Sequence, residues 1–354
     1  MLNDCIRMGL AENVTSLKSL SLKAYKQLSR YDVASYYKLC AISAATGILG
    51  NYRKAKRKNP YGKEPYARRL RLTTCYGFKV RDGELSLPIR ANKHAQISLN
   101  QHVQATVNGF TLRSVTLTDD RLSLAYANEV QQLQPLGLIG IDRNLDNITV
   151  AAIDGAVQQH DLSEATRVKA VYRDVASHFK RNDLRIRRRV SRKYGRKQHE
   201  KVQQLLHHTS KLIVAEAKAK RYGIVMEKLT GIRRLYRRGN WQGRWHRGCM
   251  NSWSYGELQR QIEYKARWEG LPVIYVNPHG TSSWCSICGE RMKPEENRML
   301  RCSSCGYMVD RDANAARNIL ALGTLRFGVV GLACEAMVAE PAIVRQSAKS
   351  MRGS

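Results

Sequence analysis

Cys285-Ser286-Ile287-Cys288-Gly289, then Cys302-Ser303-Ser304-Cys305-Gly306, then Asp310-Arg311-Asp312-Ala313-Asn314-Ala315-Ala316-Arg317-Asn318-Ile319: this stretch near the C-terminus decides more about the chain than any other. Thirteen residues, Gly289 to Arg301, separate the two Cys-x-x-Cys turns. That spacing can close a tetrahedral four-thiolate zinc site, and Gly289 and Gly306 suit the tight knuckle turn after each pair. The plainer alternative is two disulfides or two chance pairs. Against it, no secretory signal is visible, and Cys5, Cys40, Cys75, Cys249 and Cys334 are scattered singly. One structural zinc on Cys285, Cys288, Cys302 and Cys305 is therefore expected. The run that follows puts an acid, Asp312, at the opening of a helix from Ala313 to Leu322.

Composition narrows the partners. The 354 residues include 60 Lys+Arg against 29 Asp+Glu, a formal net charge of +31. Internal salt bridges cannot absorb such an excess, which calls for a polyanion: nucleic acid first, an anionic membrane surface second. No stretch approaches the roughly eighteen to twenty apolar residues that span a bilayer. The longest apolar run, near Phe327 to Cys334, is too short and too rich in glycine. The expectation is a soluble nucleic-acid-binding protein of a reducing compartment, without a membrane partner and without internal repeats.

Outward from the knuckle, the pattern changes period several times. Residues 1 to about 50 read as helices, with Leu17, Leu20, Tyr25 and Leu28 at helical spacing, then Val33, Tyr36, Tyr37, Cys40 and Ile42. A basic linker follows from Arg53 to Pro60, either a solvated loop or a phosphate contact. Between residues 72 and 130 the chain alternates. Tyr76 to Val80 and Leu85 to Ile89 form a hairpin on Asp82-Gly83, and Ala95 to Leu99, Leu112 to Leu117 and Leu122 to Tyr126 complete a small antiparallel barrel. Leu138 to Asp142 opens a new domain, and Asn147 to Ile153 gives its next strand. From Arg167 to Arg221 there are 18 Lys+Arg and 4 Asp+Glu. This region reads as a helical hairpin turning near Tyr194-Gly195; such a basic surface is either a solvated face or a phosphate track. Gly223 to Leu229 is a buried strand carrying a carboxylate. Residues 231 to 249 read as a loop mixing arginines with Tyr236, Trp241 and Trp245, a combination on which single-stranded bases can stack. A helix from Trp253 to Glu269 and a strand Val273 to Val276 lead into the knuckle.

Three acids thus fall at element ends: Asp142, Glu227 and Asp312. Taken singly, each has an ordinary explanation as a turn cap, an exposed strand end or a helix N-cap. Together, in strand–strand–helix order, they match the need of two-metal phosphodiester hydrolysis, in which carboxylates from separate elements hold two Mg²⁺ ions. Asp146 and Asp310 compete with them and read as turn or supporting residues.

These motifs resemble the TnpB family of insertion-sequence nucleases, ancestral to type V CRISPR effectors and formerly described as transposases. The resemblance rests on Gly140-Ile141-Asp142, Met226-Glu227-Lys228-Leu229, Thr281-Ser282-Ser283 before the two Cys-x-x-Cys-Gly turns, and the run Asp310 to Ile319. Ser252-Trp253-x-Tyr255-x-x-Leu258 and Ile262-Glu263-Tyr264-Lys265-Ala266 look like the family's helix before the knuckle. The match covers roughly residues 66 to 325.

It implies an α+β multidomain fold: a helical recognition-like lobe at 1–65, a β-rich wedge at 66–135, and an RNase H-like (RuvC) nuclease domain at 136–283 with the basic hairpin 166–221. The zinc ribbon would span 284–308, the last RuvC segment 309–325, and a flexible tail 326–354. It also implies that Asp142, Glu227 and Asp312 are the catalytic acids, that a guide RNA from the transposon end and a target DNA are the partners, and that the protein is cytoplasmic and nucleoid-associated in a prokaryote. Nucleic-acid contacts are expected at Arg57, Lys58, Arg187, Arg188, Arg189, Arg192, Lys193, Arg237, Arg238, Trp241 and Arg244. In one respect the chain departs from the family: members usually begin with a β-strand that completes the wedge, and this chain opens on helices.

Overall fold

The structure, a computed structural model, describes residues 1–69, 71–90, 92–178, 184–236 and 241–327, with the side chains of 72 and 187 excepted. Of the tail expected at 326–354, all but residues 326 and 327 lie outside the described residues. The chain divides into two compact units, Met1–Glu129 and Val130–Ser354.

The first unit begins with α1 (Leu2–Ala11), α2 (Leu17–Gln27) and α3 (Ser35–Lys58). Ser16 caps α2, its hydroxyl accepting from the Ser19 amide at 3.2 Å. Their helical spacing buries Cys5, Ile6, Leu20, Ala24, Leu28, Ile42, Ala45 and Leu49 in one cluster. The basic run from Arg53 is not a linker. Helix α3 continues to Lys58, because Lys and Arg are good helix formers and their charge complements a helix C-terminus. Arg57 and Lys58 are its last, exposed residues.

Strands β1 (Arg71–Thr74), β2 (Lys79–Arg81), β3 (Glu84–Arg90) and β4 (Lys93–Ser98), helix α4 (Gln101–Val107), and strands β5 (Thr111–Thr118) and β6 (Leu122–Ala127) follow. Asp82 and Gly83 both have positive φ in the tight turn between β2 and β3. Hydrogen bonding does not close one barrel among the described residues. It makes two three-stranded antiparallel sheets, β2-β3-β4 and β1-β5-β6, which share a core around Leu85, Leu87, Leu99 and Val115. Between the two sheets the chain forms α4, capped by Asn100, whose side-chain oxygen accepts from the Val103 amide at 2.9 Å.

The second unit holds a five-stranded sheet of β7 (Gly137–Arg143), β8 (Asn147–Ala152), β9 (Val157–Asp161), β10 (Tyr222–Glu227) and β11 (Val273–Val276), in the order β11-β10-β7-β8-β9. The pairs β7/β10 and β10/β11 are parallel; β7/β8 and β8/β9 are antiparallel. Helix α5 (Ser163–Ser177) and α6 (Leu184–Ala219) pack against each other. The expected turn at Tyr194-Gly195 is absent: α6 runs unbroken for 36 residues, Gly195 included, since one glycine in a long helix costs only about 1 kcal/mol. The region 231–249 is not all loop either; a 3₁₀ turn at Ile232–Tyr236 and helix α7 (Arg244–Ser252) occupy it. Helix α8 (Tyr255–Trp268), the small strands β12 (Met292–Pro294), β13 (Met299–Cys302) and β14 (Met308–Asp310), and α9 (Arg311–Phe327) complete the unit.

Both faces of the sheet are covered, which explains its continuous apolar strands. Ile139, Ile141, Ile224 and Met226 face a core shared with Leu206, Ile213, Leu258 and Ile262 of α6 and α8. Leu138 and Val225 point the other way, to Ile319 and Leu320 of α9. No helix among the described residues is long and apolar enough to cross a membrane.

Candidate functional site

Gly140 sets the position of α9. A β-carbon added there would lie 2.3 Å from the Ala316 carbonyl oxygen and 2.5 Å from the Leu320 nitrogen, so backbone packs on backbone. This close approach carries the first turn of α9 to the C-terminal ends of β7 and β10. Asp142, Glu227 and Asp312 meet there, 8 %, 8 % and 1 % exposed.

Each carboxylate has its own support. Asn144 Nδ2 donates to Asp142 Oδ2 at 2.9 Å and to Asn147 Oδ1 at 3.1 Å. Asn147 Nδ2 in turn donates to Asp312 Oδ2 at 3.3 Å. Two asparagines thus chain the first acid to the third. Glu227 Oε1 accepts from the Thr281 hydroxyl at 2.6 Å. Burial, reinforced by the charge of Glu227 and then of Asp312, pushes the Asp142 carboxyl up to about 7. Burial also raises Glu227, against the pull of Thr281 and Arg143. Asp310 stands apart as the helix cap: its Oδ1 accepts from the amides of Asp312 and Ala313 at 2.9 and 3.1 Å. Asp146 is exposed.

Arg143 and Arg298 carried no sequence signal of their role, whereas Asn314 and Asn318 belong to the motif that runs from Asp310 to Ile319. Arg143, only 2 % exposed, donates to the Glu227 carbonyl at 2.5 Å and to Gln259 Oε1 at 2.8 Å, tying β7 to β10 and α8. Asn318 Nδ2 donates to the carbonyls of Thr281 and Trp284, both at 2.8 Å, and Asn314 Nδ2 to that of Trp284 at 2.7 Å. These two asparagines, one turn apart on α9, hold the loop that delivers Thr281 to Glu227 and Cys285 to the knuckle. Arg298 Nη2 donates to both oxygens of Asp312, at 2.5 and 2.6 Å. It reaches there from the turn between β12 and β13, where Asn297 and Arg298 both have positive φ. A lone arginine in a polar turn looks like any other in a sequence holding 60 Lys+Arg.

The four cysteines come together. Their sulfurs all lie within 4.8 Å of one another, with Cys285–Cys305 at 3.8 Å and Cys288–Cys302 at 3.4 Å. A tetrahedral S₄ site with Zn–S bonds of about 2.3 Å needs sulfur edges of about 3.8 Å, so the cluster is compatible with zinc. All four are free thiols, too far apart for disulfides. Cys285 and Cys302 share a small core with Met292, Leu300 and Val309.

The expected nucleic-acid contacts are each described by their own element. Arg188, Arg189, Arg192 and Lys193 line exposed turns of α6, while Arg244 opens α7 and Trp241 is fully exposed before it. The side chain of Arg187, and residues Arg237 and Arg238, lie outside the described residues.

A sequence profile for the Cas12f1-like TNB domain matches residues 255–319, the segment from α8 through the knuckle into α9. A TnpB-like protein of Methanocaldococcus jannaschii is 29 % identical over 261 residues, covering 68 % of this chain and 91 % of that protein. The chain is thus similar to a TnpB-like protein over most of its length, and to the Cas12f1-like TNB domain from α8 into α9. Among other relatives, a putative RNA-guided DNA endonuclease, InsQ, of Escherichia coli strain K12 is 40 % identical over 99 residues, 27 % of this chain and 23 % of that one. A protein chain in the cryo-EM structure of a Cas12f1–sgRNA–target DNA complex aligns with TM-score 0.59 at 16 % identity, over 90 % of this chain and 80 % of that chain. At that identity the likeness concerns fold alone, a Cas12-like multidomain α+β architecture.

Proposed function

We propose that this chain is an RNA-guided DNA endonuclease of an insertion sequence, cutting its target by two-metal phosphodiester hydrolysis. The observation that carries the reading is the convergence of three buried carboxylates from β7, β10 and α9, with burial and mutual repulsion raising the pKa of Asp142. Acids stay clustered under such repulsion when a cation is to join them. Their all-oxygen donor set fits Mg²⁺ rather than a softer metal. Asp142, Glu227 and Asp312 would hold two Mg²⁺ ions, which activate water and stabilise the leaving oxygen.

The protein's own groups prepare that site. Asn144 and Thr281 fix the rotamers of Asp142 and Glu227, and Arg143 locks the strand ends together. Arg298, its side chain 54 % exposed beside a nearly buried Asp312, balances that acid and presents a guanidinium at the mouth of the site for a phosphate oxygen. The four cysteines would hold one structural zinc, closed to substrate, that folds the segment bearing Arg298. Guide dependence is supported by the +31 charge, by the names of the relatives, and by the fold shared with a chain solved on guide RNA and target DNA. Sequence would be read by base pairing, with the protein holding backbones.

The test is to reconstitute the full chain with RNA from its own locus and change only the guide segment. The cut is expected to move with the guide, and Asp142→Ala, Glu227→Ala and Asp312→Ala are each expected to abolish Mg²⁺-dependent cutting while RNA binding persists. Cutting at one place regardless of guide, or without RNA, would point instead to a sequence-specific nuclease or transposase.

A further inference from the structure

Trp253 links a second cleft to the acids. Its indole Nε1 donates to the Asn144 carbonyl at 2.7 Å, so the segment 252–255 stands two hydrogen bonds from Asp142. Arg143, the neighbour of Asp142, also donates to the Tyr255 carbonyl at 3.4 Å. This segment forms one wall of a cleft of about 470 Å³, whose other walls include Lys169 of α5, His199 of α6 and Arg233 of the 3₁₀ turn.

The cleft gathers positive charge without neutralising it. Lys169 is half-buried, and its ammonium donates to the Ser252 carbonyl and the Ser254 hydroxyl, both at 2.5 Å. An ammonium has three donors, so one is left over. Arg233 lies 5.9 Å from the centroid of the Tyr255 ring. Burial, and then the nearby Arg233, push Lys169 down to about 8. Among the described residues neither cation pairs with a carboxylate. Glu257, the acid among the lining residues, is engaged elsewhere: Arg260 donates to it at 2.6 and 3.1 Å and Gln261 at 3.0 Å.

A half-buried, unpaired cation beside a second one is unfavourable until an anion arrives. The remaining surface is aromatic, with the rings of Trp253 and Tyr255 tilted together at a centroid distance of 5.0 Å. Cations joined to aromatic faces bind single-stranded nucleic acid, the phosphate on the charge and the base on the ring. The volume falls in the range of about 300–1,000 Å³ usual for sites of small-molecule size, room for one nucleotide.

We propose that this cleft seats one nucleotide of the single DNA strand being cut, its phosphate on Lys169 and Arg233 and its base against Trp253 and Tyr255. The inference rests on reading Asp142, Glu227 and Asp312 as the phosphodiesterase centre, and it adds a grip that would set the path of the strand into them.

Arg233 and His199 are exposed, so replacing them leaves the core alone. The probe is a ten-nucleotide fluorescein-labelled DNA strand carrying one 4-thiothymidine, offered to the full chain in Ca²⁺ without Mg²⁺. Irradiation is expected to cross-link the thiobase to the peptide containing Trp253 and Tyr255. Arg233→Ala is expected to weaken binding of the strand about five-fold or more, and His199→Ala less; Arg267→Ala, which removes an equal charge at a surface pair with Glu263, is the control and should change it little. Cross-links confined to other peptides, or equal losses in Arg233→Ala and Arg267→Ala, would overturn the proposal. Magnesium-dependent cleavage is scored separately. A cross-link at Trp253 or Tyr255 in a chain that never cuts would keep the cleft and sink the nuclease reading.

Discussion

At the scale of single residues, the acids govern how the metal-free protein responds to pH. The folded-state pKa of Asp142 is raised from 3.8 to about 7, and Glu227 shifts the same way. A carboxyl raised on folding keeps its proton in the native state after the unfolded chain has lost it. Stability is then full below the unfolded pKa and declines as pH rises through the folded one. Without divalent metal, the melting temperature is expected to fall between pH 5 and pH 8, and Asp142→Asn should remove much of that fall. Added Mg²⁺ should raise the wild-type melting temperature more at pH 8 than at pH 5, and should do little for Asp142→Asn. An equal Mg²⁺ effect in both proteins would mean that Asp142 is not a ligand. The acids themselves were legible because each sits at the end of a strongly patterned apolar strand or opens a recognisable helix. The roles of their supports were not, even where Thr281 and Asn318 stand inside a motif. Asn144, Thr281, Asn318 and Arg298 act through tertiary hydrogen bonds, and no local periodicity marks the polar residue that will meet a partner 37 positions away, as Asn318 meets Thr281.

Elements obey the pattern where they are buried and depart from it where they are exposed. Strands β7, β10 and β11 fall where their apolar runs predict. The basic stretches do not, because charged residues fit a helix, a loop or a linker equally well and only neighbours decide. Hence Arg53–Lys58 finishes α3, Gly195 lies inside α6, and Arg244–Ser252 is helical. The contact between α9 and β7 is the element-level joint of the site, and Gly140 is where it can be broken. Gly140→Ala forces a methyl against the backbone of Ala316 and Leu320, and is expected to cost about 1–3 kcal/mol of stability. Because the displaced helix carries Asp312, cleavage should fall further than the loss of folded protein accounts for, as read by denaturation midpoint beside specific activity. An unchanged midpoint and rate in the Gly140→Ala protein would show that α9 does not rest on this strand.

For the molecule as a whole, the +31 charge makes affinity for nucleic acid a function of salt. Binding is expected to weaken steeply between about 50 and 200 mM salt, with a log–log slope reporting the number of phosphates held. Removing Arg188, Arg189, Arg192 and Lys193 together should flatten that slope if α6 tracks a backbone, and leave it unchanged if those turns face only solvent. The placement of Arg298 has a further consequence, one of timing. On the proposed reading the site depends on two metals held by different chemistry: oxygen ligands that exchange quickly, and four thiolates that let go slowly. A chelator should therefore inactivate the protein in two phases. The first is complete on mixing and undone by excess Mg²⁺. The second develops as the knuckle empties and the turn at Asn297-Arg298 loses its frame, and only zinc reverses it. Cys302→Ser should show the second phase already finished. A single phase, wholly rescued by Mg²⁺ at any delay, would mean that the guanidinium on Asp312 is dispensable.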